Sequence, residues 1–149
     1  MKKKVKFRSK LEYDVNAQIA DMGLPFSYEG GLNTIRYIIP ESQHRYLADF
    51  LLSNGIIIEA KGRFVAADRK KHLLIKNQFP ILDVRFIFSN SKARIAKKSK
   101  TRYCDWCEKN GFLYADKLVP KEWLHEVKPK KELEEIIKLL KSFKRGEFK

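Results

Sequence analysis

The order of hydrophobic periods along this chain predicts an α/β domain. Three observations carry that expectation. A helix-period stretch over residues 10–22 follows a capping sequence; two apolar, β-rich runs flank Ser53-Asn54-Gly55; and helix-period stretches return after residue 68 and after residue 130. At 149 residues the chain matches one domain with a sizeable core.

Taken in order, Ser9-Lys10-Leu11-Glu12 fits the S-x-x-E capping box, and Leu11, Val15, Ile19 and Met22 recur at helical spacing until Gly23 and Pro25 stop the run. Short strands are expected at residues 26–29 and 34–39, separated by Gly30-Gly31 and ended by Pro40. Residues 46–52 and 56–61 form a hairpin around an Asn54-Gly55 turn signal. Asp68 can cap a helix running to Gln78, which Pro80 stops, and residues 84–88 then form a buried strand. Residues 89–102 form a surface loop or mobile arm. Residues 101–110 make a helix ended by Gly111, Pro120 opens a short helix through Trp123, and residues 130–144 set Leu133, Ile136, Ile137, Leu140 and Phe143 on one stripe.

Thirty-two Lys and Arg against eighteen Asp and Glu give a formal charge of +14, and 44% hydrophobic residues exclude a disordered basic tail. The charge is divided. Residues 1–10 carry six basic groups and no acid, residues 68–149 carry 22 bases against 11 acids, and residues 11–67 carry four bases against seven carboxylates. Basic flanks suit a polyanion, whose phosphates release counterions when neutralised by Lys or Arg. The acidic middle would repel that polyanion unless a divalent cation neutralised it, or unless its carboxylates are scattered over a solvated face. Met1 to Lys10 lack the apolar core of a signal peptide, and no run approaches the roughly 18 apolar residues of a membrane span. A soluble, intracellular protein with no membrane partner is expected.

The hairpin carries the chemistry. A two-residue loop would place Asp49 and Glu59 on opposite faces of the sheet. A three-residue loop, with Gly55 left-handed, sets Asp49 opposite Glu59, and Glu59 and Lys61 share a face. Two carboxylates and an ammonium then converge among apolar neighbours, where unpaired carboxylates are costly and oxygen-liganded Mg²⁺ would offset their repulsion. Either Lys61 forms a cross-strand salt bridge at a sheet edge, or the group performs metal-assisted phosphodiester hydrolysis. In the latter, Asp49 and Glu59 hold one or two metal ions and Lys61 orients the nucleophile or stabilises negative charge.

Asp49 followed by Glu59-Ala60-Lys61 resembles the D…(D/E)-x-K pattern of the restriction-endonuclease-like nucleases. More specifically, Phe7-Arg8-Ser9-Lys10-Leu11-Glu12, Ala48-Asp49-Phe50-Leu51-Leu52-Ser53-Asn54-Gly55, Glu59-Ala60-Lys61-Gly62 and Asp68-Arg69-Lys70-Lys71-His72-Leu73-Leu74-Ile75 resemble the phage endonuclease I family, the Holliday-junction resolvases of podophages. Residues 103–111 and 115–123 do the same, so that the resemblance spans about residues 7–126. It implies a restriction-endonuclease-like α/β fold with a mixed central sheet flanked by helices, working as a domain-swapped homodimer. It implies a Mg²⁺-dependent endonuclease, with Mn²⁺ as a substitute, that binds four-way and other branched DNA by shape in the cytoplasm of an infected host. By position it assigns Asp49, Glu59 and Lys61 to catalysis, the Ala60 carbonyl to metal, and Glu12 to a fourth acidic place supplied to the other subunit through exchange across a strand around residues 36–46. Without the resemblance, Glu12 is the reciprocal partner of Ser9 in the capping box. Residues 1–126 would be the nuclease domain, and 127–149 a basic helix of unknown role unlike the family's tail.

DNA contacts are expected from Arg8, His44, Arg69, Lys70, Lys71, Lys97 and Lys98. The 69–71 cations oppose the helix dipole at a helix start, so a bound phosphate would compensate them, although a solvated basic face remains open. His44 and His72 are left out of the catalytic set. Cys104 and Cys107 have the spacing of half a zinc or redox site, but no second Cys/His pair is near and packing of a helix is expected. Two rivals remain: a non-catalytic basic nucleic-acid-binding or architectural protein, and a duplex-cutting nuclease of the same fold.

Overall fold

In the computed structural model, residues 5–39 and 42–146 are described. The expected strand stop at Pro40 lies outside them, as do Glu41 and the lysines of residues 1–4. Helix α1 (Lys10–Asp21) starts where the Ser9 hydroxyl accepts the Glu12 amide at 3.1 Å. The Glu12 carboxylate then turns to the Tyr28 hydroxyl, 2.6 Å away, so the reciprocal half of the capping box gives way to a tertiary bond. The reason is helical spacing: Glu12 lies on the same face as Val15 and Ile19, both fully buried.

The strands follow as β1 (Phe26–Tyr28), β2 (Thr34–Ile39), β3 (Ser42–Leu47), β4 (Phe50–Leu52) and β5 (Ile56–Lys61). After helix α2 (Ala66–Gln78) come β6 (Asp83–Phe88), α3 (Tyr103–Asn110), β7 (Tyr114–Asp116), α4 (Lys121–His125) and α5 (Lys130–Lys144). The main sheet has the order β1-β4-β5-β6-β7, antiparallel up to β5 and parallel beyond it, which makes it the mixed central sheet that was expected. Strands β2 and β3 form a separate antiparallel ribbon.

Two expectations are corrected and one strand is added. The run 46–52 is not one strand: Tyr46 and Leu47 end β3, the chain bends at Ala48-Asp49, and only Phe50–Leu52 enters the main sheet. The buried Asn33 amide imposes the bend by donating to the carbonyls of Ala48 (2.9 Å) and Asp49 (3.1 Å), which therefore leave the β ladder. Helix α2 begins at Ala66, so Asp68 stands in its first turn rather than capping it. Strand β7 carries no strong alternation and is created by parallel pairing with β6.

Two apolar clusters bury the sheet from both sides. Ile56 and Ile58 join Val15, Ile19 and Leu124 of α1 and α4. Ile57 joins Phe64 and residues of α2, α3 and α5, namely Ile75, Trp106, Ile136, Leu140 and Phe143. Double-sided burial explains why β5 opens as an unbroken apolar run. Helix α5 is thus part of the larger core, and the Arg36 guanidinium of β2 donates to the Phe143 carbonyl at 2.5 Å.

The hairpin turn depends on Gly55, whose φ is +88°; a Cβ there would lie 2.9 Å from Cδ1 of Leu133 on α5. Gly55→Ala is expected to lower the unfolding free energy by about 1–3 kcal/mol through strain and displacement of α5. Urea unfolding measures it, and a loss below about 0.5 kcal/mol would contradict this account of the turn.

Candidate active site

The β4–β5 ladder pairs Phe50 with Ile58 and Leu51 with Ile57, and one more step of that register brings Asp49 opposite Glu59. This is the arrangement expected of a three-residue loop closed by a left-handed Gly55. Two bonds join the acids across the strands: the Asp49 amide donates to Glu59 Oε1 at 2.9 Å, and the Ala60 amide donates to Asp49 Oδ2 at 3.0 Å. Glu59 Oε1 also accepts the buried Tyr46 hydroxyl, and Glu59 Oε2 lies 3.6 Å from Lys61 Nζ. Lys61 bridges onward to Asp68 Oδ1, again at 3.6 Å. From the sequence Asp68 is expected as a helix cap and as part of a family motif, with no role at the site; its place beside Lys61 depends on how α2 crosses the end of β5.

Glu12, Glu29 and Asp49 each present a carboxylate oxygen, all within 4.8 Å of one another, and among the described residues this is the one such group of three or more metal-ligand side chains. Glu12 therefore comes beside Asp49 within one chain. Glu29 was not anticipated. Strand β1 pairs with β4 through Tyr28 and Phe50, and the Glu29 amide donates to the Asp49 carbonyl at 2.9 Å. Nothing local in the sequence says that β1 borders β4, so the signal for Glu29 is tertiary. The Arg8 guanidinium approaches Glu29 at 3.3 Å from the solvent side.

Burial, followed by the Glu59 charge, pushes the Asp49 carboxyl up to about 8. Burial raises Glu59 as well, against the opposing pull of Lys61 and the Tyr46 hydroxyl. A desolvated set of carboxylates with Lys61 as its inner cation is the environment in which a hard divalent ion relieves repulsion, and all-oxygen donors suit Mg²⁺ or Mn²⁺. The residues present fit such an ion.

The expected phosphate contacts fall into two groups. Arg69 donates to the Phe64 carbonyl at 2.6 Å, and Lys71 sits 3.6 Å from Asp68 and 4.5 Å above the Tyr46 ring, so both are engaged within the chain. They stand in the second turn of α2, with Asp68 ahead of them in the first. Lys70, Lys97, Lys98, Arg8 and His44 are exposed, and His44 contacts the Ser42 hydroxyl at 2.9 Å. The 89–102 loop is stitched by the Ile95 amide bonding to the Thr101 carbonyl, and Arg94 and Lys97 join Arg63 in lining a cavity of about 360 Å³.

His72 is buried between the rings of Tyr46 and Phe86, and burial together with Lys71 and Lys61 holds its pKa far below the usual histidine value. Cys104 and Cys107 are free, buried thiols on α3, and burial and the neighbouring Cys104 push Cys107 up to about 12. Packing is what α3 does with them. No helix among the described residues is long and apolar enough to cross a membrane.

A family model described as phage endonuclease I matches residues 1–144, which extends past the resemblance read in residues 7–126 and into α5. Over 127 residues the chain is 53% identical to endodeoxyribonuclease 1 of Enterobacteria phage T3, covering 85% of this chain and 81% of that protein. It is 50% identical over 127 residues to endonuclease I of Escherichia phage T7, covering 85% of this chain and 83% of that one.

Proposed function

This chain belongs to the phage endonuclease I family and is an endodeoxyribonuclease, and from that premise we propose that it is a Mg²⁺-dependent enzyme that resolves four-way junctions and other branched DNA. The observation that carries the reading is the convergence of buried Glu12 and Asp49 with half-buried Glu29, beside Glu59 and Lys61, in a chain of net charge +14. A cluster of acids is a poor surface for DNA unless it holds cations, and the surrounding excess of Lys and Arg supplies the phosphate affinity.

In this reading Glu12, Asp49, Glu59 and the Ala60 carbonyl hold one or two ions, with Glu29 in reach; Mn²⁺ can replace Mg²⁺. When bound, the metal supplies a water of lowered pKa and polarises the scissile phosphate. Lys61 orients the attacking water or stabilises charge on the phosphate in the transition state, and Asp68 and Glu59 hold its ammonium in place. Lys70, Lys97 and Lys98, with Arg63 and Arg94, bind the DNA backbone. Two copies, each with a restriction-endonuclease-like core, would form a homodimer by exchange of their N-terminal segments, in which the Glu12–Asp49 approach found here within one chain would instead form between Glu12 of one protomer and the site of its partner, so that two strands are cut together. Residues 1–126 serve as the nuclease domain and α5 as a helical addition that closes its larger core. The site of action is the cytoplasm of the infected host.

The test is cleavage of an end-labelled four-way junction beside a linear duplex of the same sequence, in Mg²⁺ or EDTA. Mg²⁺-dependent cuts confined to the junction are expected. Equal cutting of the duplex would make the chain a duplex nuclease, and tight binding without cuts in Mg²⁺ or Mn²⁺ would leave an architectural role. The DNA-facing lysines make a separate prediction. For Lys97→Ala with Lys98→Ala, the slope of log affinity against log salt should fall by about 1–2, near 0.9 for each duplex phosphate that is no longer neutralised. An unchanged slope removes both lysines from the interface.

A further inference from the structure

Two tyrosine hydroxyls end on the acids of the candidate site. Tyr46, the penultimate residue of β3, is buried, and its hydroxyl reaches Glu59 Oε1 on β5. Tyr28, the last residue of β1, donates to Glu12 Oε1 on α1 at 2.6 Å. Both rings are held by packing: Tyr46 lies edge-on to His72 at 5.2 Å under the Lys71 ammonium, and Tyr28 packs on Phe50 and Phe7 at 5.0 and 4.8 Å. A phenol has two side-chain torsions, so a packed ring delivers its hydroxyl to a nearly fixed point. A glutamate has three, and without an external donor its carboxylate can rotate away from a neighbouring acid.

We propose that Tyr46 and Tyr28 are positioning residues, each capturing one oxygen of a site glutamate so that the other oxygen is presented to the cation and substrate. For Glu59 the division is explicit: Oε1 takes the Tyr46 hydroxyl and the Asp49 amide, and Oε2 is left facing Lys61. The two clamps come from different strands and hold acids on different elements, Tyr46 tying β3 to β5 and Tyr28 tying β1 to α1. This is the outer-shell role by which donors orient a ligating carboxylate, whose loss typically costs 10- to 100-fold in metal affinity or activity. The inference rests on the metal-dependent reading above.

The experiment titrates Mn²⁺ into the DNA-free protein by calorimetry for wild type, Tyr46→Phe and Tyr28→Phe, and follows junction cleavage against Mg²⁺ concentration for each. Tyr114→Phe is the control, because it removes the same kind of phenol–carboxylate bond, 2.8 Å to Glu108, at the surface. Each site variant should bind Mn²⁺ about 10-fold or more weakly and need correspondingly more Mg²⁺, while the control stays at wild-type values. If Tyr46→Phe fails to fold, Tyr28→Phe decides. Wild-type metal affinity in the folded site variants overturns the clamps and leaves the nuclease reading standing. A wild-type protein that binds no Mn²⁺ and does not cut overturns both.

Discussion

Lys61→Ala is expected to lower junction cleavage by about 10²- to 10⁴-fold while leaving junction binding nearly unchanged, the loss usual for a positioned proton donor or charge-stabilising group. The ammonium lies 3.6 Å from both Glu59 and Asp68, and its side chain is 18% exposed, so it reaches the site from its edge and does not hold the core together. Asp49→Asn should lose as much for a different reason. It keeps the volume but weakens one oxygen donor of the buried set, and it removes no phosphate-binding cation, so binding should stay level. Single-turnover cleavage with a gel-shift titration of the same junction separates the two quantities. A Lys61→Ala enzyme within tenfold of wild type would remove that residue from the chemistry, and parallel loss of binding would recast it as a DNA contact.

In EDTA the protein is expected to lose stability as pH rises from about 6.5 to 8, and divalent metal should restore it. Asp49 faces Glu12 on α1, Glu29 after β1, Glu59 and Lys61 on β5 and Tyr46 on β3. Because its folded pKa is raised to about 8, the folded state keeps a proton that the unfolded chain has already released, and stability falls with pH until that proton leaves. Glu59, also raised, adds in the same direction. His72 works the opposite way: its folded pKa is depressed, so its contribution is complete above about pH 6.5 and lost below it. Asp83, held low by Arg85 and Lys128, has the same sign as His72 and is complete above the usual carboxylate range. The clean window is therefore 6.5 to 8, where about 2 kcal/mol should be lost. Urea unfolding at the two pH values, in EDTA and in Mg²⁺, measures it. A flat or rising stability in EDTA would mean that the acids are not desolvated in the folded protein.

The hairpin shows how far local pattern can reach. Gly55 at the third loop position favours a loop of odd length, the β4–β5 register has it, and with the period of two in a strand Asp49, Glu59 and Lys61 fall in the relative placement that such a loop implies. Helix α5 was legible to its ends, and of its expected stripe Ile136, Leu140 and Phe143 are buried while Leu133 and Ile137 are half-buried. What failed was every feature whose cause lies elsewhere in the chain. Asn33 breaks the 46–52 run from fifteen and sixteen residues away, Tyr28 draws Glu12 out of its capping box, and β7 exists because β6 offers it an edge.

The sequence by itself determined an α/β domain, a basic protein with an acidic middle, the Asp49–Glu59–Lys61 group and a resemblance to one nuclease family. Those properties reside in spacing, charge and local turn chemistry, which act over a few residues. Only the tertiary structure decided that Glu29 stands with Glu12 and Asp49, that Asp68 holds Lys61, that Tyr46 and Tyr28 grip the two glutamates, and that α5 closes the core over β2. Each of these joins separate elements, in the case of Arg36 and Phe143 across 107 positions of the chain. Burial selects them: a desolvated carboxylate takes whatever donor the packed core brings within reach, and no local pattern records which one that will be.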